Sequence, residues 1–216
     1  MSDHQVRAVA FDVDGTLVQE NFWLQLHDLF GVSREDDVAW MKKYRDGEWN
    51  YRQWMDTVSS AYQRNPRSRT EMELIMSSFE LFPDAHDVVS KLSARYPVVL
   101  ISSNIDHYIE AVAATLSVPE WHAYTRFEYD TEGRYAHISY LDKGTELEAK
   151  VNSVNAFALR NGLLPSEVAF VGDSKNDLDA FHHTGKGILI RNGNDDLREA
   201  AWKRVGVLKD IESILL

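Results

Sequence analysis

Four short segments of the chain are apolar almost throughout: VRAVAF (6–11), VVLIS (98–102), EVAFV (167–171) and GILI (187–190). A strand with one face in water alternates apolar and polar residues, so unbroken apolar runs of this length belong to strands covered on both faces. Helical spacing fills the intervals. It is seen in DAHDVVSKLSARY, in the stripe Ile105, Ile109, Val112 and Leu116, in Glu146–Asn161 before Gly162, and over 176–184 before Gly185. Strand, helix, strand, helix restricts the architecture to an α/β fold with a doubly wound parallel sheet and right-handed crossovers. One departure is expected in AYTRFEYDTEGRYAHISY (123–140), a hairpin turning near Thr131–Gly133.

A second texture interrupts this alternation. FWLQLHDLF, DVAWMKKYRDG, YRQWMDTVSSAY and TEMELIMSSFEL all have helical spacing, broken at Gly31, Gly47 and Asn65-Pro66. The expected division is an α/β core of residues 1–17 and 83–216 with a small α-helical cap, residues 18–82, inserted after the first strand. A length of 216 residues with 44% hydrophobic content suffices for both. The net charge of −11 sets aside nucleic acid and anionic membrane as partners, because both demand a basic footprint. With no cysteine, disulfides, zinc–thiolate sites and thiol nucleophiles are excluded. No basic-then-apolar start and no membrane-length apolar stretch occur, so a cytoplasmic protein is expected. The sequence sets no oligomeric state.

In open α/β sheets, ligands bind beyond the carboxyl ends of the strands. After the first run come Asp12 and Asp14, whose side chains point the same way in an extended segment. Their mutual repulsion requires an offset: a metal, a shared proton or water. Gly15-Thr16 lets the backbone turn while both carboxylates stay near one point. After the second run come Ser102, Ser103 and Asn104, where a helix N-terminus makes either an anion site or an ordinary cap. After the third come Gly172, Asp173, Ser174, Lys175, Asn176 and Asp177, with Asp173 and Asp177 both able to face the first strand. Lys150 lies about 60° from Leu147 on the helix wheel, at the flank of the stripe Leu147, Val151, Val154 and Ala158. It either snorkels to solvent or reaches inward, with Lys143 as the fallback. Carboxylate ligands without His or Cys suit Mg²⁺.

These segments resemble the haloacid dehalogenase superfamily, and within it the phosphatases with a helical cap between the first and second motifs. FDVDGTL (11–17) matches motif one, Ser102 in LISSN motif two, Lys150 in EAKVNS motif three and VGDSKND (171–177) motif four. The Lys150–Asp173 spacing, the cap position and GEWNY are similar to phosphoserine phosphatases. The resemblance implies a phosphatase acting on a small phosphorylated metabolite. Asp12 would be the nucleophile, and Asp14 the acid and then base. Ser102 and Lys150 would hold phosphate oxygens, with Ser103 beside them. Mg²⁺ would sit on Asp12, Asp173 and the Asp14 backbone carbonyl, supported by Asp177 and Asn176.

Departures from the phosphoserine enzymes bear on the substrate. Those enzymes grip the amino acid with a Glu soon after motif one and an Arg in the cap, where an ungapped match places Asn21 and Asp56 here. Glu20 and Arg52 are the nearest substitutes, and Ser103 and Asn104 replace the glycine pair of motif two. Glu20, Asn21, Arg52 and Asn104 are therefore the candidates for contact beyond the phosphate, and slow or absent phosphoserine turnover is expected. Trp49, Tyr51 and Trp54 are candidates to face the leaving group, and Arg45 or Arg52 to meet a second anion. A phosphomutase would use the same acid pair. Dehalogenation would not need Asp14, and a phospho-accepting receiver domain would lack both the helical insert and the GDxxxD turn.

Overall fold

The computed structural model describes residues 5–19, 22–191 and 193–216. The chain begins with β1 (Ala8–Phe11), followed by α1 (Phe22–Phe30), α2 (Arg34–Arg45), α3 (Tyr51–Tyr62) and α4 (Arg69–Met76). It continues through α5 (Ala85–Ser93), β2 (Val98–Ile105), α6 (Asp106–Thr115), β3 (Glu120–Tyr129), β4 (Tyr135–Tyr140) and α7 (Glu146–Arg160). The remainder is β5 (Val168–Gly172), α8 (Leu178–Thr184), β6 (Gly187–Ile190), α9 (Asp195–Ala200), β7 (Lys203–Val205) and α10 (Glu212–Leu215).

The seven strands form one sheet ordered β4-β3-β2-β1-β5-β6-β7, parallel throughout except for the antiparallel β3–β4 pair. From β1 the chain builds outward through β2 and β3, then returns to β5 on the other side. The reversal puts a crevice at the carboxyl end of β1, flanked by the ends of β2 and β5.

Successive strand residues serve opposite apolar layers. Val9, Phe11, Leu100 and Val171 pack with Val88 and Leu92 of α5 and Ile109 and Val112 of α6. Ala8, Ala10, Ile101 and Phe170 pack with Val154 and Phe157 of α7 and Phe181 of α8. Both neighbours of each such residue are thus buried, which is why the strands read as unbroken apolar runs. Each fully buried Val, Leu or Phe contributes about 1.5–3 kcal/mol. The hairpin turns where expected, with Asp130 Oδ1 accepting the N–H groups of Glu132 and Arg134.

Helices α1 to α4 lie between β1 and α5. Val18 bridges Leu81 antiparallel, Gln19 N–H donates to Glu80 O at 2.8 Å and Phe82 N–H to Leu17 O at 2.9 Å, so the two ends of this stretch run side by side. Its longest apolar face, Tyr51, Trp54, Met55, Val58 and Tyr62 of α3, follows helical spacing and joins the apolar layer of the sheet.

Two sequence expectations are corrected. Helix α7 buries Glu146, Ala149, Lys150, Val154, Phe157 and Ala158, while Leu147 and Val151 are only half-buried. The helix is therefore turned so that Lys150 lies within the buried face, not on its flank. At its N-terminal end that face carries polar side chains serving a site, so apolar counting misplaces it. Strand β7 was not anticipated, because an edge strand bearing the exposed Lys203 and Arg204 has no apolar signature.

Candidate active site

The loop leaving β1 is wound around one acceptor: the Val13 carbonyl takes the N–H groups of Thr16, Leu17 and Val18. Gly15 makes this possible. Its φ is +72°, and a Cβ there would lie 2.4 Å from Asp173 Oδ2, so only glycine lets the loop close on the β5 turn. Asp12, 3% exposed, is pinned through its own N–H to the Val171 carbonyl at 2.9 Å.

Lys150, 1% exposed, reaches inward. Its Nζ donates to Asp12 Oδ1 at 2.8 Å, Asn176 Oδ1 at 3.0 Å and Asp177 Oδ1 at 2.5 Å. Fully buried Asp177 accepts the N–H groups of Asp173 and Ser174 on its other oxygen, at 3.0 and 3.1 Å. Burial alone would lower the Lys150 ammonium, yet Asp12 and Asp177 hold it above its ordinary value. Burial pushes Asp12 well above the usual carboxylate range, opposed by Lys150 and reinforced by Asp177 and Asp173. Asp173 is pushed up to about 6, first by burial and then by the charge of Asp177.

Asp14 has a different environment. Its Oδ2 accepts from Asn104 Nδ2 at 3.0 Å and its Oδ1 from the Tyr108 hydroxyl at 2.9 Å. Burial raises its pKa, and these two neutral donors only partly oppose the shift. The two acids read from DVD are thus separated in role by their surroundings: one faces a cation, the other an amide and a phenol.

Carboxylate oxygens of Asp12, Asp173 and Asp177 lie within 4.8 Å of one another. Ionised, these three carry two more charges than Lys150 offsets, and every donor is a hard oxygen. The cluster therefore fits a divalent cation such as Mg²⁺. Both Asp177 oxygens already accept hydrogen bonds, from Lys150 and from the Asp173 and Ser174 N–H groups, so Asp177 supports the cluster from beneath. The Asp14 carboxylate is occupied by Asn104 and Tyr108, leaving its backbone carbonyl for the ligand role implied by the resemblance.

A cavity of about 670 Å³ opens above these groups. Asp12, Asp14, Ser102, Ser103, Asn104, Asp173 and Asn176 line it, while Lys150 and Asp177 lie beneath. Ser103 Oγ is buried with no partner among the described residues, and the Ser103 carbonyl accepts the Tyr51 hydroxyl at 2.8 Å. Arg45, Tyr51 and Trp54 line the cavity, whereas Trp49 lies under Lys43 and Lys143 is exposed outside the lining.

Arg52 is placed elsewhere. Its Nη2 donates to the carbonyls of Asp142, Lys143 and Gly144 at 2.9–3.1 Å, its Nε to the Tyr124 hydroxyl at 3.1 Å, and its guanidinium covers the Tyr140 ring. Glu20 and Asn21 lie outside the described residues. Sequence reasoning missed Tyr108, Tyr44, Trp23 and Glu146. For Tyr108 a signal existed: it lies in the first turn of α6, four residues after Asn104 at the end of β2, and both reach Asp14.

The haloacid dehalogenase-like hydrolase family model matches residues 9–182. The chain is 27% identical over 203 residues to a phosphoserine phosphatase of Bos taurus, covering 90% of this chain and 87% of that protein. It is 25% identical over 197 residues to the chloroplastic phosphoserine phosphatase of Arabidopsis thaliana, covering 90% of this chain but spanning only 65% of that relative's length. Among solved structures, a substrate-bound phosphoserine phosphatase complex superposes with a TM-score of 0.84 at 20% identity, covering 98% of this chain and 99% of the other. A phospho-aspartyl intermediate analogue of phosphoserine phosphatase gives 0.81 at 19% identity, covering 98% of this chain and 100% of that one. No helix among the described residues is long and apolar enough to cross a membrane. The match from β1 to α8, the shared sheet and the acids gathered at its edge lead to one assignment: the chain belongs to the haloacid dehalogenase-like hydrolase family.

Proposed function

We propose that the protein is a Mg²⁺-dependent phosphatase that hydrolyses a small phosphomonoester through an aspartyl-phosphate on Asp12. The observation that carries this reading is the unequal treatment of two acids two residues apart. Lys150 binds one oxygen of Asp12 and orients the carboxylate, while two neutral donors, Asn104 and Tyr108, hold Asp14.

In the first step an Asp12 oxygen attacks phosphorus and the bond to the leaving oxygen breaks. Asp14 gives its proton to the departing alkoxide. In the second, water attacks the phosphorus, Asp14 takes its proton, and the Asp12 carboxylate is released with phosphate. In this reading Ser102 and the Ser103 hydroxyl, which has no partner among the described residues, receive the phosphoryl oxygens, with the Lys150 charge beneath them. Asp12 and Asp173, with the turn that Asp177 supports, would hold Mg²⁺, which when bound would supply positive charge to offset the phosphoryl oxygens.

In this reading residues 18–82 act as a cap over a core of 1–17 and 83–216, supported by the adjacent crossings at Val18 and Leu81. The relatives named above are phosphoserine phosphatases. We place phosphoserine low among substrates of this chain, because Arg52 is committed to backbone carbonyls. A cytoplasmic setting belongs to the same proposal.

The test is hydrolysis of p-nitrophenyl phosphate with and without Mg²⁺. Asp12→Asn is expected to abolish turnover while circular dichroism stays native; retained turnover overturns the nucleophile assignment.

A further inference from the structure

We propose that the leaving-group side of the cavity recognises an alkylammonium group, which makes phosphate esters of amino alcohols the substrate class. This inference rests on the phosphatase reading above and specifies its substrate.

Glu146 is the first observation. It is the first residue of α7, 8% exposed, and it lines the cavity. Its one hydrogen bond comes from the Tyr44 hydroxyl, at 3.0 Å to Oε1, and no Lys, Arg or His pairs with it among the described residues. A helix N-terminus favours an acid, but that need is already met: exposed Glu148 closes the capping box with Thr145, accepting the Thr145 N–H at 2.7 Å. The cap does not require a second first-turn acid, yet Glu146 is buried at the cavity wall. A carboxylate withdrawn from water and held by a single phenol is set to receive a cation.

The second observation is the aromatic wall beside Glu146. Tyr44 stacks on Trp54 with centroids 5.0 Å apart, Tyr51 meets both rings edge-on at 6.1 and 5.7 Å, and Trp23 lies 6.4 Å from Trp54. All four line the cavity. Contiguous aromatic rings attract a weakly hydrated cation through their electron-rich faces, more strongly where water is excluded.

Charge of the opposite sign lies at the margin. Arg45 and Lys175 line the cavity but are exposed, whereas the interior offers Glu146 and the aromatic wall. Among the described residues a substrate carboxylate would find no buried cation on this side, since Lys150 is taken up by Asp12 and Asp177. The phosphate end meets Ser102 and Ser103, and the ammonium end meets Glu146 and the rings. Hydrolysis then proceeds as above, with the amino alcohol leaving on the proton from Asp14.

The experiment compares choline phosphate with 3,3-dimethylbutyl phosphate, its uncharged carbon isostere, using p-nitrophenyl phosphate as the reference and phosphoserine as the zwitterionic arm. The expected kcat/KM ratio of choline phosphate to isostere is about tenfold or more in favour of the cation. The preference should lie mainly in KM. Glu146→Gln and Trp54→Leu should each bring the ratio towards one. Choline itself should quench tryptophan fluorescence saturably, and 3,3-dimethylbutanol should not.

Equal or faster turnover of the isostere overturns the proposal, as does phosphoserine outpacing choline phosphate or an unchanged ratio in Glu146→Gln. If p-nitrophenyl phosphate is not hydrolysed, the phosphatase reading fails. The fluorescence titration then decides cation recognition on its own: quenching by choline upholds it, and none removes it.

Discussion

Asp12 and Asp14 differ by environment and not by type, and that difference can be tested one residue at a time. Asp14→Asn should slow alkyl phosphates at least tenfold more than aryl phosphates, whose leaving groups need less protonation. Rates on both ester classes check this, and equal losses would remove Asp14 from the acid role. Asp173 titrates near 6 because burial and Asp177 disfavour its charge. A cation must displace that proton, so apparent Mg²⁺ affinity should fall as pH drops through 6 and recover above it. Raising Mg²⁺ should therefore shift the acid limb of the rate profile to lower pH, measured as kcat/KM from pH 5 to 8 at several Mg²⁺ concentrations. Lys150→Met would leave Asp12 and Asp177 buried without their shared cation, a loss of about 3–5 kcal/mol that urea denaturation would detect.

Among the elements, legibility followed the number of consecutive residues that carried one signal. The β1, β2, β5 and β6 runs were readable because burial on both faces removes polar residues altogether. The residues just beyond β1, β2 and β5 were readable as a site because three turns delivered acids and hydroxyls to one edge. Helix α7 was harder. Its buried face includes Glu146 and Lys150, and a pattern rule that equates burial with apolarity rotates such a helix. Arg52 was illegible for another reason: three of its partners are backbone carbonyls in a loop about 90 residues away, and backbone atoms carry no sequence signature. Removing that anchor tests its purpose. Arg52→Leu should lower the melting temperature by about 2–4 °C for each kcal/mol lost, while leaving the preference among leaving groups intact. A changed substrate ranking would return Arg52 to the binding surface.

The whole molecule concentrates unfavourable charge at one edge of the sheet. Burial raises the pKa values of Asp12, Asp14 and Asp173 together, and such a cluster of perturbed carboxylates is the expected signature of a functional site. Because the Asp173 pKa is raised on folding, its contribution to stability falls as pH increases through the interval between its unfolded value and about 6. Asp173→Asn should therefore raise the melting temperature of the metal-free protein at pH 7 while abolishing the stabilisation that Mg²⁺ gives the parent chain. Calorimetry with EDTA and with Mg²⁺ distinguishes the two effects, and a lower melting point in EDTA would contradict the account.

The 2.4 Å approach between a would-be Cβ at position 15 and Asp173 ties together two sites far apart in the chain. Alanine at 15 faces a positive-φ penalty of about 1–2 kcal/mol in any background, and a collision in addition only while Asp173 is present. The two substitutions should therefore be non-additive, each altering how well the other is tolerated. A lineage drifting at one position would be held back by the other, so the loop after the first strand and the turn after the fifth are inherited as a single unit.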